Sequence, residues 1–251
     1  MIMRIDRFLH QKEKSFWEKG LLFPLYLLSL TYAGAIRMRS LLYSLQWLKT
    51  RTLPCPVISI GNITVGGTGK TPVVMALAKG LMEKGISVAI LSRGYKRTNT
   101  SESIVSDGET TFLSPEESGD EPFLMAKACR GTPVLVGKNR FAIGRIALQR
   151  FRVKGLILDD GYQHLSLHRD INILLIDSHI GFGDRHLLPR GMLREPLSQL
   201  RRADLFVLTK ADHPDTYQSL EQEINKIHPK ARVFHSYYEP VSLVGPHEEQ
   251  E

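Results

Sequence analysis

Unbroken apolar runs recur along this chain at "PVISI" (56–60), "ISVAIL" (86–91), "GLILDD" (155–160), "INILLID" (171–177) and "ADLFVLTK" (203–210). They are short, rich in β-branched residues and apolar at consecutive positions, the signature of strands buried on both faces of a sheet. Between the first two lies "TPVVMALAKGLMEKG" (71–85), where apolar residues fall at helical spacing and Gly85 supplies a stop. Strand, turn, helix, strand is a βαβ unit, and its continuation predicts an α/β fold with a mostly parallel sheet covered by helices on both faces.

A different pattern precedes this core. "GLLFPLYLLSLTYAGAI" (20–36) carries no charge, with Lys12, Lys14 and Lys19 before it and Arg37 and Arg39 after. It lies too deep in the chain and lacks the cleavage site of a signal peptide. Its length sits at the lower edge for a spanning helix. The continuation "RMRSLLYSLQWLK" (37–49) mixes basic, aliphatic and aromatic residues as interfacial helices do. A helical hairpin packed on the domain, a helix lying in the membrane surface and a spanning helix are all compatible with this stretch. The organisation expected is an N-terminal helical segment over 1–50, a nucleotide-binding core over 51–212 and the start of a smaller C-terminal domain over 213–251.

Composition narrows the partners. Of 251 residues, 42% are hydrophobic and 24% charged, ordinary for a folded domain, and no fixed-period repeat or low-complexity tract appears. The net charge of +7 and pI near 9.4 favour acidic partners such as anionic lipid headgroups or a phosphorylated substrate. Nucleic acid has little support, because the charge is scattered and aromatics do not interleave with basic runs. Cys55 and Cys129 stand in unrelated contexts, which argues against a disulfide framework or zinc site and for a reducing compartment.

The chemistry is concentrated in "GNITVGGTGKTP" (61–72), between the first strand and the first core helix. Glycines let the backbone curl so that several N–H groups face one anion, and the helix N-terminus behind them adds its positive dipole end. Thr64, Val65, Gly66, Gly67, Thr68, Gly69, Lys70 and Thr71 form the expected phosphate loop, with Lys70 reaching the β- and γ-phosphates and the Thr71 hydroxyl holding Mg2+. A strict Walker pattern would have glycine in place of Thr64. Val65 stands where a related ATPase subclass has a signature lysine. Asp159 and Asp160, at the tip of a buried strand, are the candidates for managing magnesium. In a parallel sheet, ligands sit at the carboxyl ends of the strands, where all these motifs fall.

Taken with "SRGYKR" (92–97), "SGDEP" (118–122), "LDDGYQHLSLHRD" (158–170) and "LLPRGMLREP" (187–196), the loop closely resembles the tetraacyldisaccharide 4'-kinase family. The resemblance implies ATP- and Mg2+-dependent phosphorylation of the 4'-hydroxyl of a tetraacylated disaccharide 1-phosphate. It implies a peripheral enzyme on the cytoplasmic face of the bacterial inner membrane, with no obligate protein partner. It assigns Asp120 as the carboxylate that accepts the hydroxyl proton, with Glu121 beside it; read alone, Asp120 is equally a helix N-cap or first-turn acid. Arg93 and Arg97 steer the substrate phosphate or decorate a loop. Arg194 and Glu195 line the nucleotide or metal side or form a surface ion pair. His164 orients Asp159 or Asp160 or caps the strand. Family chains run several dozen residues further, through a C-terminal domain whose histidine pairs with the catalytic aspartate; His247 sits in no matching motif, so the resemblance implies a C-terminal domain cut short. Two rivals remain: a GTPase or metallochaperone, from "TKAD" (209–212), and a non-catalytic membrane-associated nucleotide-binding module.

Overall fold

The computed structural model describes residues 16–98, 101–237 and 239, and His247 lies outside the described residues. The core is one eight-stranded sheet. Its strands are β1 (Val57–Gly61), β2 (Val88–Ser92), β3 (Ser103–Ser106), β4 (Val134–Val136), β5 (Gly155–Asp159), β6 (Ile171–Asp177), β7 (Leu205–Thr209) and β8 (Val233–His235). They lie in the order β3-β4-β2-β5-β1-β6-β7-β8, and every neighbouring pair is parallel except β3 with β4. The mostly parallel α/β architecture expected from the apolar runs is the one observed.

Alternate residues of each central strand feed opposite faces, as a pleat requires. Val88 and Ile90 of β2 and Ile157 of β5 join one core cluster with Val74 and Ala78 of α2 (Lys70–Glu83) and Met125 of α4 (Asp120–Ala128), which follows the single turn of α3 (Pro115–Ser118). Ala89, Leu91, Leu156 and Leu158 point the other way, against Ile143 and Ala147 of α5 (Arg140–Arg150). A third cluster joins Leu174, Ile176, Phe206 and Leu208 to a 3-10 helix (Leu197–Arg202) and to Leu220 and Ile224 of α6 (Pro214–Ile227). The boundary expected at residue 213 falls between β7 and α6. Beyond it, α6 covers the sheet and β8 extends it through pairing with β7.

Within the N-terminal segment, Phe16–Ser44 form one uninterrupted helix, α1, with Pro24 inside it, so the hairpin alternative does not hold among the described residues. No helix there is long and apolar enough to cross a membrane. α1 is latched to the core by polar bonds. Ser29 Oγ donates to the Leu187 carbonyl at 2.9 Å, Tyr32 Oη to the Arg194 carbonyl at 2.9 Å and Arg39 Nη2 to the Gln163 carbonyl at 2.8 Å. Only Ser29 and Ala33 of its described side chains are buried, whereas Phe23, Leu27, Leu28, Leu30, Met38 and Leu41 stay exposed. An apolar helical face left open to this extent is the kind that meets another apolar phase.

Candidate active site

The site forms where β1, β2 and β5 end. β1 stops at Gly61, where a Cβ would stand 2.7 Å from the Tyr162 Cβ and 2.8 Å from its amide nitrogen; only glycine lets the strand end approach the turn after β5 so closely. Asn62 then acts as a buried hub. Its Nδ2 donates to the Thr64 carbonyl (2.7 Å), its Oδ1 accepts from Lys70 Nζ (3.3 Å) and its own carbonyl accepts from Gln163 Nε2 (2.8 Å). Through Gln163 and Arg39 this hub connects the phosphate loop to α1.

The loop itself is shaped by Gly66 at φ +112° and Gly69 at φ +73°. A Cβ on Gly67 would meet nothing within 4 Å, so the protein leaves space there. Among the described residues, no backbone or side-chain acceptor meets the amides of Gly66, Gly67, Thr68 or Gly69, which leaves these N–H groups available to an anion. The Thr68 carbonyl is steadied by Thr209 Oγ1 at the end of β7, 3.1 Å away.

The acidic wall is the tip of β5. Asp159 pairs in register with Ile60 of β1 and is only 2% exposed. Ser92 Oγ donates to its Oδ2 at 2.8 Å, while Oδ1 is buried without a partner among the described residues. Burial foremost pushes the Asp159 carboxyl up to about 6, against the Ser92 hydrogen bond; Glu121 and Asp160 raise it further and Lys70 opposes them. Asp160 sits at φ +50°, a left-handed conformation uncommon outside glycine and one concentrated at functional sites. Arg194 Nη1 holds both its carboxylate oxygens (3.1 and 3.0 Å), and Lys70 Nζ is 3.7 Å from Oδ1. Behind this wall Arg140 is 3% exposed. Its guanidinium is pushed down to about 10 by burial, against the attraction of Asp159, and its Nη1 donates to the Gly137 carbonyl at 2.6 Å.

The third wall comes from α4. Gly119 precedes it at φ +93°, ψ 151°, and a Cβ there would lie 2.9 Å from the Tyr95 carbonyl. Gly94, at φ +68°, would bring its own Cβ within 2.7 Å of the Ser118 carbonyl. Two glycines facing each other thus press the "SRGYKR" turn against the start of α4.

These walls enclose a cavity of about 640 Å3 lined by Gly66 to Pro72, Ser92, Arg93, Tyr95, Glu121, Asp159, Asp160 and Arg194. A cationic and amide-rich side faces a carboxylate side, as a polyphosphate with its counter-ion requires. Among the described residues no group of three or more His, Cys, Asp or Glu is gathered as a ready metal cage. The oxygen-only set of Thr71, Asp159 and Asp160, joined by Glu121 and with one Asp159 carboxylate oxygen unpartnered, fits magnesium, which keeps waters and shares substrate phosphates rather than filling an all-protein cage.

Of the residues singled out from the sequence, Gly66, Gly67, Thr68, Gly69, Lys70, Thr71, Arg93, Glu121, Asp159, Asp160 and Arg194 converge on this cavity. Asp120 is not among the lining residues; it is exposed as the first residue of α4, next in sequence to Glu121, which does line the cavity. Thr64 and Val65 do not line it. Thr64 bridges to Leu193 and the Val65 amide donates to the Met192 carbonyl at 2.8 Å, so both tie the loop to the 192–194 segment. Glu195 turns away, 1% exposed, against Arg202 Nη2 at 2.5 Å, and is neither at the cavity nor a surface pair. His164 touches neither aspartate; its Nε2 lies 3.0 Å from Ser166 Oγ. The Arg97 side chain packs under Gly94 rather than lining the cavity. Lys210 of "TKAD" is bound to buried Asp177 at 2.6 Å, and Asp212 lies 3.5 Å from His179, also outside the lining. Asn62, Ser92 and Gln163 lie inside the quoted motifs and Arg140 in none, yet nothing in the sequence marked their roles, because each acts through a contact made by the fold.

A family model described as tetraacyldisaccharide-1-P 4'-kinase matches residues 21–250. The tetraacyldisaccharide 4'-kinase of Pelobacter propionicus is 47% identical over 198 residues, covering 78% of this chain and 55% of that protein. The one from Geobacter metallireducens is 49% identical over 187 residues, covering 74% and 55%. The chain spans about half the length of the curated relatives it matches. Among solved structures, the apo form of LpxK from Aquifex aeolicus in complex with ATP superposes with a TM-score of 0.73 at 41% identity, covering 86% of this chain and 64% of that one.

Proposed function

The chain belongs to the tetraacyldisaccharide-1-P 4'-kinase family, and from that premise we propose that it transfers the γ-phosphoryl group of ATP to the 4'-hydroxyl of a tetraacylated glucosamine disaccharide 1-phosphate. The carrying observation is the single cavity in which the phosphate loop and Lys70 face Asp159, Asp160 and Arg194. The free amides of Gly66 to Gly69 and the α2 N-terminus hold the phosphates, and Lys70 follows the charge that migrates to the β–γ bridging oxygen. Lys70 and Arg194 already share Asp160. A bound triphosphate competes for both cations and releases that carboxylate. Magnesium, when bound, neutralises phosphate oxygens; Thr71, Asp159 and the released Asp160, with Glu121, would hold it.

A sugar hydroxyl is a weak nucleophile and needs a carboxylate to take its proton in the transition state. Asp120 takes this role. What supports this is that Asp120 is exposed and next in chain to Glu121, which lines the cavity and acts on Asp159, so an acceptor arriving from solvent would meet Asp120 first. Arg93 steers the acceptor. The acyl chains remain in the bilayer while the open apolar face of α1 rests in the cytoplasmic surface of the inner membrane. The tie from Tyr32 to the Arg194 carbonyl then keeps that surface in fixed relation to the cavity.

The test is incubation with labelled ATP and the disaccharide 1-phosphate, using this chain and one extended to its relatives' full length. Label should appear on the lipid, and Lys70→Ala should lower turnover about 100-fold. Asp120→Asn should lower kcat by about 100-fold and leave ATP affinity intact, whereas Glu121→Gln should raise the magnesium requirement. If ATP binds and neither chain labels the lipid, the kinase reading falls. If the two variants exchange phenotypes, Glu121 is the base.

A further inference from the structure

A second cavity, of about 560 Å3, shares no lining residue with the first. The C-terminal half of α1 supplies one wall, with Ser40, Leu41, Tyr43 and Ser44; Arg169 and Arg202 stand among the residues opposite. The phosphoryl transfer described above uses none of them.

Both arginines are only partly neutralised. Arg169 Nη1 donates to the carbonyls of Gly161, Tyr162 and His164 at 3.2–3.4 Å, and Arg202 Nη2 binds Glu195 while its guanidinium lies 4.6 Å over the Tyr162 ring. Arg169 Nε and Arg202 Nε and Nη1 are sealed from solvent and have no hydrogen-bond acceptor among the described residues, so they place positive charge behind the cavity wall rather than donors in the cavity itself. Arg39 adds a third cation close enough to act on both Arg169 and Glu195, so three positive charges surround one carboxylate. Burial foremost, and then the charge of Arg202, push the Arg169 guanidinium down to about 10. Two arginines on the wall of an open cavity, with more positive charge around them than Glu195 offsets, favour an anion there.

The surroundings say where that anion comes from. Leu41 lies on the cavity wall and is half exposed; Leu45 and Leu48 follow it, and Trp47 is 77% exposed. Aliphatic and indole groups standing in water beside a cationic hollow match the bilayer interface, where acyl carbon and phosphate lie side by side. We infer that this cavity receives the phosphate headgroup of an anionic membrane phospholipid and thereby fixes how the protein is turned on the bilayer. This rests on the membrane-surface reading of α1 given above.

The experiment is cosedimentation of the full chain with phosphatidylcholine vesicles, with and without phosphatidylglycerol. Ser40→Glu with Ser44→Glu places two carboxylates in the cavity wall and leaves the arginines' structural contacts alone. Thr31→Glu, exposed on the same helix outside the cavity, is the charge control. The double variant should lose about 30-fold of the affinity gained from phosphatidylglycerol, roughly fivefold for each guanidinium engaged. Its binding to phosphatidylcholine and to ATP should be unchanged, and Thr31→Glu should lose no more than about threefold. Short-chain phosphatidylglycerol should raise Tm, and sodium phosphate at the same concentration should not. Equal losses in the double variant and the Thr31 control, no loss in either, or equal stabilisation by sodium phosphate would each overturn the inference. If no vesicle binds the unaltered chain, the membrane-surface reading itself fails and the headgroup site falls with it.

Discussion

His164 offers the sharpest energetic test, because the fold sets its charge state against its own chemistry. The imidazole is partly buried, and burial, followed by the charges of Arg140, Arg169, Arg39 and Arg93, pushes it down to about 4. Among the described residues its Nε2 meets a hydroxyl, Ser166 Oγ, and no carboxylate compensates. In the unfolded chain the imidazole takes its proton near pH 6.5, before the folded chain does. Stability is therefore complete above pH 6.5, falls as pH drops through the interval, and stops falling below about 4. A depression from 6.5 to about 4 corresponds to a ceiling of about 3 kcal/mol. The ring is partly solvent-accessible, and screening brings the expected total to about 1.5 kcal/mol, of which about 1 kcal/mol is lost by pH 5.

His164→Gln keeps a polar group in reach of Ser166 and cannot take up a proton. Urea unfolding of the ligand-free protein at pH 7.5 and pH 5.0 should show the variant losing about 1 kcal/mol less than the parent across that interval. Asp159, held up at about 6, works in the opposite direction: the folded state gains stability from it as pH falls below 6, until the unfolded carboxyl also protonates. That contribution is common to both proteins and cancels in the comparison. Equal pH dependence of the two would refute the neutral, cation-ringed histidine. A variant that lost more stability in acid than the parent would mean that His164 has a carboxylate partner after all.

Two further outcomes follow from the geometry. Gly119→Ala forces a side chain into a glycine conformation and to within 2.9 Å of the Tyr95 carbonyl. It should lower stability by about 2–4 kcal/mol and displace Asp120, so that kcat collapses while ATP binding survives; calorimetric titration of ATP beside a lipid-labelling assay reads both, and full activity would show that the start of α4 is not a positioning element. Deletion of the residues before Leu48 removes the exposed face of α1 together with the Tyr32 and Arg39 latches. Sedimentation with anionic vesicles should fall at least about tenfold, and unchanged sedimentation in a deletion that still gives a native circular dichroism spectrum would defeat the interfacial role of the helix.

What could be read in the chain was whatever depends on neighbours in sequence. Consecutive apolar residues at β1, β2, β5, β6 and β7 mark strands covered on both sides, and the glycines before Lys70 mark a backbone that must curl around an anion. Both signals are local, because a strand's burial pattern and a glycine's positive φ belong to a few adjacent residues. The α/β class, the phosphate loop and the acidic tip of β5 were legible for that reason, as was the family resemblance, which rests on ordered short motifs.

Contacts between distant segments were not legible. Arg194 and Glu195 are adjacent in one motif, yet one holds Asp160 and the other is buried against Arg202, a division made by the partners the fold brings to each. His164 stands four residues from Asp160 and turns to Ser166 instead. Asn62, which ties Lys70 to Gln163, and Arg140, which places a buried cation behind Asp159, were anonymous until β1, β5 and α5 were brought together. Sequence alone determined which backbone would form each element and where phosphate would be cradled. Only the tertiary structure decided which side chain lines the cavity beside that loop, which faces the core and which stays exposed, because those directions depend on packing between segments a hundred residues apart.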